Sequence, residues 1–282
     1  MRSIRRSAIT LLVVTSLSAC GGGGSSGDTS NPPPPPQTNQ SPGGIWTVQY
    51  QEASGPNTGD TIQGKALVTE TGELFFAGLN TVTGCAVVGF GQVAVSGSAV
   101  SGSTQDGIVP FTANPAASTT CSYPDGSTSG TSTLSGTVSQ RSSLSLTDTS
   151  TTSLGMALGS ETHTWVYSSL YAEIPSLANI AGNYADGTDT LTISADGTIF
   201  EQDPTSGCVI NGTVSIVNPS YNAYALSVTW SNCTGNTAVL NGQTATGLGY
   251  LDDSMSPNQV DFGVRLTVGA QTFVLAGALN KM

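Results

Sequence analysis

The sequence predicts an all-β protein built from two tandem antiparallel β-domains, each a small eight-stranded up-and-down barrel. Short runs such as "TLTIS" and "TIFEQ" alternate polar and apolar residues around a turn at 195–197. Such alternation is typical of strands with one buried face. No helical period exceeds two turns, and one pattern of glycine, apolar residues and cysteine occurs twice. A β-sandwich is the alternative architecture for each domain.

The amino terminus has the organisation of a secretory signal peptide. Arg2, Arg5 and Arg6 precede an apolar run over 8–14, which is shorter than the roughly 20 apolar residues that span a bilayer. A basic start, a short apolar segment and small residues before a boundary are typical of an export signal. We therefore expect residues 1–19 to be removed.

The boundary Leu17-Ser18-Ala19-Cys20 resembles the lipobox of bacterial lipoproteins. The resemblance implies cleavage before Cys20, diacylglycerol on its sulfur, and acylation of the new amino terminus by a fatty acid such as palmitate. Several buried acyl chains make such an anchor effectively permanent. The alternative is an ordinary signal peptide cut after Ala19. The membrane is thus an expected partner, through Cys20.

Residues 20–43 read as a tether between this anchor and the folded part. Gly21–Gly27 is flexible and Pro32–Pro36 is a stiff polyproline II segment. Inner-membrane lipoproteins often have Asp directly after the lipidated cysteine, whereas Gly21 and Gly22 follow Cys20 here. The resemblance therefore implies the outer membrane, with the periplasmic and surface faces both open.

The charge balance excludes a nucleic-acid partner. After the signal is removed, four basic residues face 18 acidic ones, which gives a formal charge of −14. A protein this acidic cannot replace the counterions of a phosphate backbone. We read the charge as a source of solubility.

A repeated motif divides the remaining chain into domains at 44–172 and 173–282. Gly-Cys pairs end at Cys85 and Cys208, a glycine follows each cysteine by four residues, and each copy has one later cysteine, Cys121 or Cys233. Four cysteines in an exported chain indicate two disulfides. Duplication then selects the pairs Cys85–Cys121 and Cys208–Cys233. Because no Cys-x-x-Cys is present and there is one histidine, we expect no zinc site.

Residues 168–182, "SSLYAEIPSLANIAG", lie at the junction of the two domains. They are the one plausible short helix, with a linking turn as the preferred interpretation. We expect Tyr171, Leu177 and Ile180 to pack there.

Catalytic patterns are weak. His163 is the only histidine and no Gly-x-Ser-x-Gly elbow is present, so we expect a surface or pocket-rim imidazole and no catalytic residue. Several aspartates are attributed to loops and tight turns: Asp60, Asp106, Asp125, Asp186, Asp189, Asp252 and Asp253. Five aromatics at strand positions are attributed to the core: Trp46, Trp165, Tyr224, Trp230 and Phe273. No calcium, phosphate, dinucleotide or haem motif appears, so no metal or cofactor is expected.

The chain as a whole resembles uncharacterised two-domain lipoproteins of Gram-negative bacteria that carry a Gly-rich run after the lipidated cysteine. This implies a lipid-anchored envelope protein with a non-enzymatic binding or structural role, whose partner is a protein or a small apolar ligand. The alternative is a lipocalin-like carrier, which would need an internal cavity of about 300 Å³ or more. An enzyme would instead require buried carboxylates around His163.

Overall fold

The computed structural model describes residues 38–110, 121–186, 189–203, 206–268 and 271–282. The signal segment, Cys20 and most of the tether lie outside the described residues. The described part forms two closed antiparallel barrels of eight strands each. The predicted fold class is therefore confirmed, and the sandwich alternative is wrong.

Barrel 1 is an up-and-down barrel in which each strand pairs with the next. Its eighth strand closes onto the first through three residue pairs, Ile45–Ser168, Trp46–Tyr167 and Thr47–Val166. The strands are β1 Gly44–Gln51, β2 Thr61–Val68, β3 Glu73–Asn80, β4 Cys85–Ser96, β5 Ala99–Pro110, β6 Ser129–Ser139, β7 Ser143–Thr152 and β8 Ala157–Ser168.

Barrel 2 repeats this topology with shorter early strands. It closes through only two pairs between its last and first strands, Asn280–Ala185 and Lys281–Tyr184. The strands are β9 Gly182–Asp186, β10 Asp189–Ile193, β11 Thr198–Gln202, β12 Val209–Asn218, β13 Tyr221–Ser231, β14 Thr244–Asp252, β15 Gln259–Val268 and β16 Gln271–Lys281.

The junction contains a 3₁₀ turn at Ser169–Ala172 and a one-turn helix α1 at Leu177–Ile180. A second 3₁₀ segment, Gly235–Leu240, follows β13. Tyr171 and Ile180 are buried, as expected. Across the described ranges, no helix has the length and apolar character needed to cross a bilayer.

The repeated glycines occupy matching turns. Gly72 and Gly197 both have φ of +87°, a left-handed conformation that favours glycine. A Cβ at Gly72 would lie 2.0 Å from the Val93 carbonyl oxygen, and one at Gly197 would lie 2.3 Å from that of Val214. Each glycine carbonyl also accepts a hydrogen bond from the same partner's backbone N–H. The turn between the second and third strands is therefore bonded to the fourth strand in the same way in both barrels.

Both predicted disulfides are present. Cys85–Cys121 and Cys208–Cys233 each join the start of the fourth strand of a barrel to the segment that follows its fifth strand. The bridges thus occupy equivalent positions. Descent of the two domains from one duplicated unit stays a prediction.

The outer faces of the barrels share an apolar interface. Phe75, Phe90, Tyr171, Leu248 and Tyr250 belong to one buried cluster contributed by both barrels. The packing is close enough that a Cβ on Gly263 would lie 2.1 Å from Phe75 Cε2. The described chain from residue 38 onward is therefore one compact unit.

One ion pair crosses this interface. Lys65 Nζ lies 2.6 Å from Asp252 Oδ2, and Asp252 is only 2% exposed. Ser254 donates to the same carboxylate, so the expected turn is present. The assignment of Asp252 to a loop is nevertheless wrong, because it is the last residue of β14.

Candidate functional site

The interior of barrel 1 has an apolar half and a polar half. Strand register decides which residues face inward, because alternate residues on a strand share one face. Trp46, Val68, Val100, Val138 and Leu144 are buried together in the apolar half. Further along the same inward faces the side chains become polar, so the barrel encloses both a core and a site.

The polar half contains a cavity of about 90 Å³. We call it the acidic chamber and define it by its seven titratable lining residues: Tyr50, Glu52, Asp106, Tyr123, Asp148, Glu161 and His163. Four of the seven are carboxylic acids, and no Lys or Arg is among the described residues that line the cavity. The chamber is therefore an acidic site inside a closed barrel.

Two of these acids are linked through a pair of serines. Ser132 Oγ lies 2.6 Å from Asp106 Oδ2, Ser150 Oγ lies 2.6 Å from Asp148 Oδ1, and the two hydroxyl oxygens lie 2.7 Å apart. Each hydroxyl carries a single hydrogen, so the two serines supply protons for only two of the three hydrogen bonds. When all three hydrogen bonds are made, the third proton belongs to a carboxyl group. In that protonation state Asp106 and Asp148 share a proton through this serine relay.

The electrostatic surroundings favour protonation of Asp106 and Asp148. Burial raises the pKa of Asp106 to about 6, against the lowering effect of its hydrogen bond from Ser132. Burial is also the main cause of the raised pKa of Asp148, with the charge of Glu161 adding to it. Both shifts favour a neutral acid over a charged one in a site with little water.

A loop after β1 covers the acidic chamber beside β8. Glu161 accepts hydrogen bonds from the backbone N–H groups of Ala53 and Ser54 and from the Ser54 hydroxyl. Glu52 begins this loop, and burial followed by the charge of Glu161 raises its pKa to about 7. The loop thus donates hydrogen bonds to the Glu161 carboxylate and places the Glu52 carboxylate at the cavity.

His163 lies inside the chamber and is only 7% exposed. The expectation of a surface or rim imidazole is therefore wrong, because β8 turns this side chain inward between Glu161 and Trp165. Trp165 Nε1 donates to His163 Nδ1 at 2.6 Å, and the Tyr50 ring stacks on the imidazole at 4.4 Å. The site surrounds the histidine with aromatic rings on one side and acids on the other.

The protonation of His163 follows from these contacts. Burial lowers its pKa to about 4, so the ring is neutral at pH 7. Because the indole N–H can only donate, Nδ1 is the acceptor and the ring proton sits on Nε2. That N–H is buried and has no hydrogen-bond partner among the described residues. Buried donors in proteins are almost always paired, so this one marks a position for a ligand or solvent acceptor.

The aspartates that the sequence attributes to loops and turns lie in different structural positions. Asp106 was attributed to a turn, but it lies within β5 and faces the chamber. Asp125 does sit in a turn, where it accepts from Ser127, and Asp60 accepts from Asn80 ahead of β2. Nothing is described of the side chains at 186 and 189.

Four of the five aromatics assigned to the core are buried, and Phe273 is 36% exposed. The assignment of Phe273 is thus wrong, since it lies near the weakly closed edge formed by β16. Trp165 and Trp230 also line cavities. These two tryptophans therefore pack in the core and also line a cavity.

Sequence reasoning missed Glu52, Asp148 and Glu161 as site residues. A signal was present in β7 and β8, where inward positions recur every second residue. Leu144 and Leu146 lead to Asp148, and Trp165 leads back through His163 to Glu161. The inward polar residues of β7 and β8 alternate with outward residues that are also polar. Alternation is visible in a sequence only when the two faces differ in polarity, so the inward set could not be recognised.

The interior of barrel 2 is apolar, unlike the polar half of barrel 1. It contains a cavity of about 200 Å³, which we call the apolar cavity. Its lining residues are Leu191, Ile193, Ile199, Glu201, Ile210, Leu226, Val228, Trp230, Val260, Phe262, Val264, Leu275, Ala276 and Leu279. Glu201 is the one carboxylate among these described residues, so the cavity offers shape and hydrophobicity with little charge.

This cavity has a side entrance. Leu275 faces inward by its pairing with Val264, yet it is 44% exposed. The cause is the closing ladder between β16 and β9, which has only two residue pairs at the far end of β16. The edge of β16 beside Leu275 is therefore open to solvent.

The contacts of the polar groups bear on metal binding and on catalysis. Within the described residues, no three His, Cys, Asp or Glu side chains are grouped so that they could hold a metal ion. The Ser132 and Ser150 hydroxyls bond to aspartates and to each other. His163 Nε2 contacts neither of these hydroxyls.

Comparisons with protein-family models, with curated proteins and with solved structures found no match.

Proposed function

We propose that this protein is a non-enzymatic, lipid-anchored lipoprotein of the bacterial envelope that carries a small apolar molecule in barrel 2. The observation that carries the proposal is the apolar cavity of about 200 Å³. Cavities of about 150 Å³ lined by Leu, Ile and Phe stay dry and bind benzene. The cavity of barrel 2 is larger than that and has an exposed edge at Leu275.

The size of the apolar cavity limits the ligand. Carriers of drug-sized molecules need about 300 Å³ or more, which exceeds the volume available here. The ligand is therefore a single ring or a short branched hydrocarbon, with room near Glu201 for one polar substituent. This is a smaller cargo than a lipocalin-like barrel would suggest.

The anchor rests on the sequence at Leu17–Cys20 and on the tether that follows. Lipidation of Cys20 would hold both barrels near the outer membrane, where apolar molecules partition. In cells fed a labelled palmitate analogue, we expect the wild-type protein to carry the label and to sediment with membranes. Cys20→Ala should lose both properties. An unlabelled wild-type protein in the growth medium would contradict the anchor.

A non-enzymatic role is supported by the contacts of the acidic chamber. The residues around His163 include buried carboxylates, which is the arrangement an enzyme would need. However, His163 Nε2 holds no nucleophile among the described residues, and about 90 Å³ leaves room for few substrate atoms. Binding is the chemistry that these groups support best.

Thermal unfolding in the presence of benzene tests the carrier proposal. We expect saturating benzene to raise the Tm of the wild-type protein, because a ligand that binds only the folded state stabilises it. Val264→Phe fills the cavity with a buried ring and should abolish the shift. The matched control is Val239→Phe, at a position that is 53% exposed, which should retain it.

The outcome is decided by the wild-type protein and by the pair of variants together. No Tm shift in the wild type, with no change in tryptophan fluorescence, would show that barrel 2 is a packed structural module. Equal shifts in both variants would place benzene elsewhere. If Val264→Phe does not fold, Val228→Met makes the same test with a smaller added volume.

A further inference from the structure

The acidic chamber of barrel 1 contains more unmet hydrogen-bonding capacity than its own residues can satisfy. The serine relay between Asp106 and Asp148 lacks one hydrogen-bond donor unless a carboxyl group is protonated. On the adjacent strand β8, His163 Nε2–H has no acceptor among the described residues. A molecule that supplied both a donor group and an acceptor oxygen would therefore complement both features.

The charge of the chamber selects a cation. Its four acids have no basic partner among the described lining residues, although buried carboxylates are normally paired. An ammonium group supplies three hydrogen-bond donors together with a positive charge. It would replace the proton that Asp106 and Asp148 share and allow both carboxylates to ionise.

The aromatic lining suits the same ligand. Tyr50, Phe76 and Trp165 all border the cavity, and Phe76 stacks on Trp165 with the ring centroids 6.0 Å apart. Aromatic faces attract cations, most strongly when the cation has lost its water. These rings would contact the carbon atoms and the positive end of an organic ammonium ion.

The volume fixes the size of the ligand. A cavity of about 90 Å³ corresponds to about three water molecules at roughly 30 Å³ each. It therefore accepts a molecule of about four non-hydrogen atoms. A larger choline-like or sugar ligand would require the loop at Ala53–Ser54 to move.

We propose that the acidic chamber of barrel 1 binds a small amino alcohol. Its ammonium group pairs with the buried carboxylates, and its hydroxyl oxygen accepts the hydrogen bond from His163 Nε2. This site is separate from the apolar cavity of barrel 2, so the two proposals stand or fall independently.

Binding is coupled to proton release. Where Asp106 and Asp148 hold a shared proton, the ammonium ion displaces it and one proton leaves to solvent. The groups that face this pair are Tyr50, Glu52, Tyr123, Glu161 and His163. Because the acids must ionise to receive the cation, affinity rises with pH from 5 to 8, over the range where Asp106 and Glu52 titrate.

His163 provides a direct probe because it is the only histidine in the chain. Titration with ethanolamine at pH 8, followed by the imidazole ¹⁵N resonances, should move the Nε2 signal in a saturable way. Calorimetry should give an affinity at least about tenfold higher at pH 8 than at pH 5, as expected for the release of about one proton. Buffers of different ionisation enthalpy then report the released proton.

Two control ligands separate the two halves of the recognition. Ethylene glycol keeps the hydroxyl groups and lacks the charge, so it should not bind measurably. Propylamine keeps the charge and the size but has no hydroxyl group, so it should bind about tenfold more weakly than ethanolamine, the equivalent of about 1.4 kcal/mol. Equal binding by ethylene glycol would overturn the proposal.

Asp148→Asn tests the carboxylates, with Asp253→Asn on the exposed surface as the matched control. We expect Asp148→Asn to lose at least about tenfold in affinity and Asp253→Asn to lose none. An unmoved His163 signal in the wild type at 100 mM ethanolamine would refute the site even if Asp148→Asn does not fold. Equal affinity in a folded Asp148→Asn variant would also refute it.

Discussion

Barrels 1 and 2 share one framework and enclose opposite interiors. Each has eight strands in the same order, a glycine turn between its second and third strands, and a disulfide from the start of the fourth strand to the segment after the fifth. Barrel 1 nevertheless encloses an acidic chamber, and barrel 2 encloses an apolar cavity. The framework therefore does not decide what the interior binds.

The register shows where the two barrels diverge. The glycine four residues after the first cysteine is Gly89 in barrel 1 and Gly212 in barrel 2. Its partner on the fifth strand is Asp106 in the first barrel and Val228 in the second. Equivalent inward positions thus hold a buried acid in barrel 1 and a core valine in barrel 2.

The same alignment continues across the remaining strands. Following the paired residues from Asp106 and Val228, four chamber residues correspond to four apolar or glycine positions. In chain order Ser132 matches Gly247, Asp148 matches Phe262, Glu161 matches Gly277 and His163 matches Leu279. The serine relay, the covered glutamate and the histidine are therefore all specific to barrel 1.

The two barrels therefore share some strand positions and differ at others. The turns, the disulfide and the strand order are common to both, whereas the inward residues past the apolar half are polar in barrel 1 and apolar or glycine in barrel 2. We expect exchanges at matched inward positions to be tolerated unequally, since an acid needs partners that a valine does not.

The largest effect is expected when an acid of barrel 1 is placed in barrel 2. Val228→Asp puts a carboxyl group among apolar neighbours with no serine relay, and an uncompensated buried charge costs about 3–5 kcal/mol. We expect urea unfolding at pH 7 to show a loss of this size in the free energy of unfolding. Val228→Asn separates the cost of polarity from the cost of charge and should lose less.

The reciprocal exchange is the control for that experiment. Asp106→Val removes a buried acid and leaves the Ser132 hydroxyl without one acceptor, which costs about 1–3 kcal/mol at most. The comparison would fail if Val228→Asp were no more destabilising than Asp106→Val. That result would mean that the interior of barrel 2 is wet enough to solvate a carboxylate.

Much of the framework could be predicted from the sequence. Gly72 and Gly197 mark their turns because only a left-handed conformation fits there. The cysteine pairing followed from the repeat, and the strand number followed from the alternation. These features are local, so they are visible in a linear sequence.

The acidic chamber could not be predicted, because it depends on register between distant strands. Asp106 sits beside Gly107 and therefore looked like a turn residue. Ser132 and Ser150 are ordinary members of Ser/Thr-rich strands until their pairing places them between two aspartates. Only closure of the barrel turns these scattered polar residues into one site.

A smaller effect should distinguish the two barrel interiors by the pH dependence of the free energy of unfolding. Burial raises the pKa of Asp106 from its usual 3.8 to about 6, so between these values the folded state binds more protons than the unfolded state. The free energy of unfolding then falls as pH rises through this window. Asp106→Asn removes this dependence, so the variant should gain about 1–3 kcal/mol relative to wild type between pH 4 and pH 7. Urea unfolding at both pH values measures the gain.

Asp196 in barrel 2 supplies a control of opposite sign. Hydrogen bonds from Thr198 hold the pKa of this exposed carboxyl below its usual value, so its stabilisation is present above that value and is lost as pH falls. Asp196→Asn should therefore cost stability at pH 7 and less at acidic pH, the reverse of Asp106→Asn. His163, whose pKa is lowered by burial, contributes equally to both proteins and cancels. Parallel pH profiles for the two variants would mean that the interior of barrel 1 is no more shielded from water than a surface turn of barrel 2.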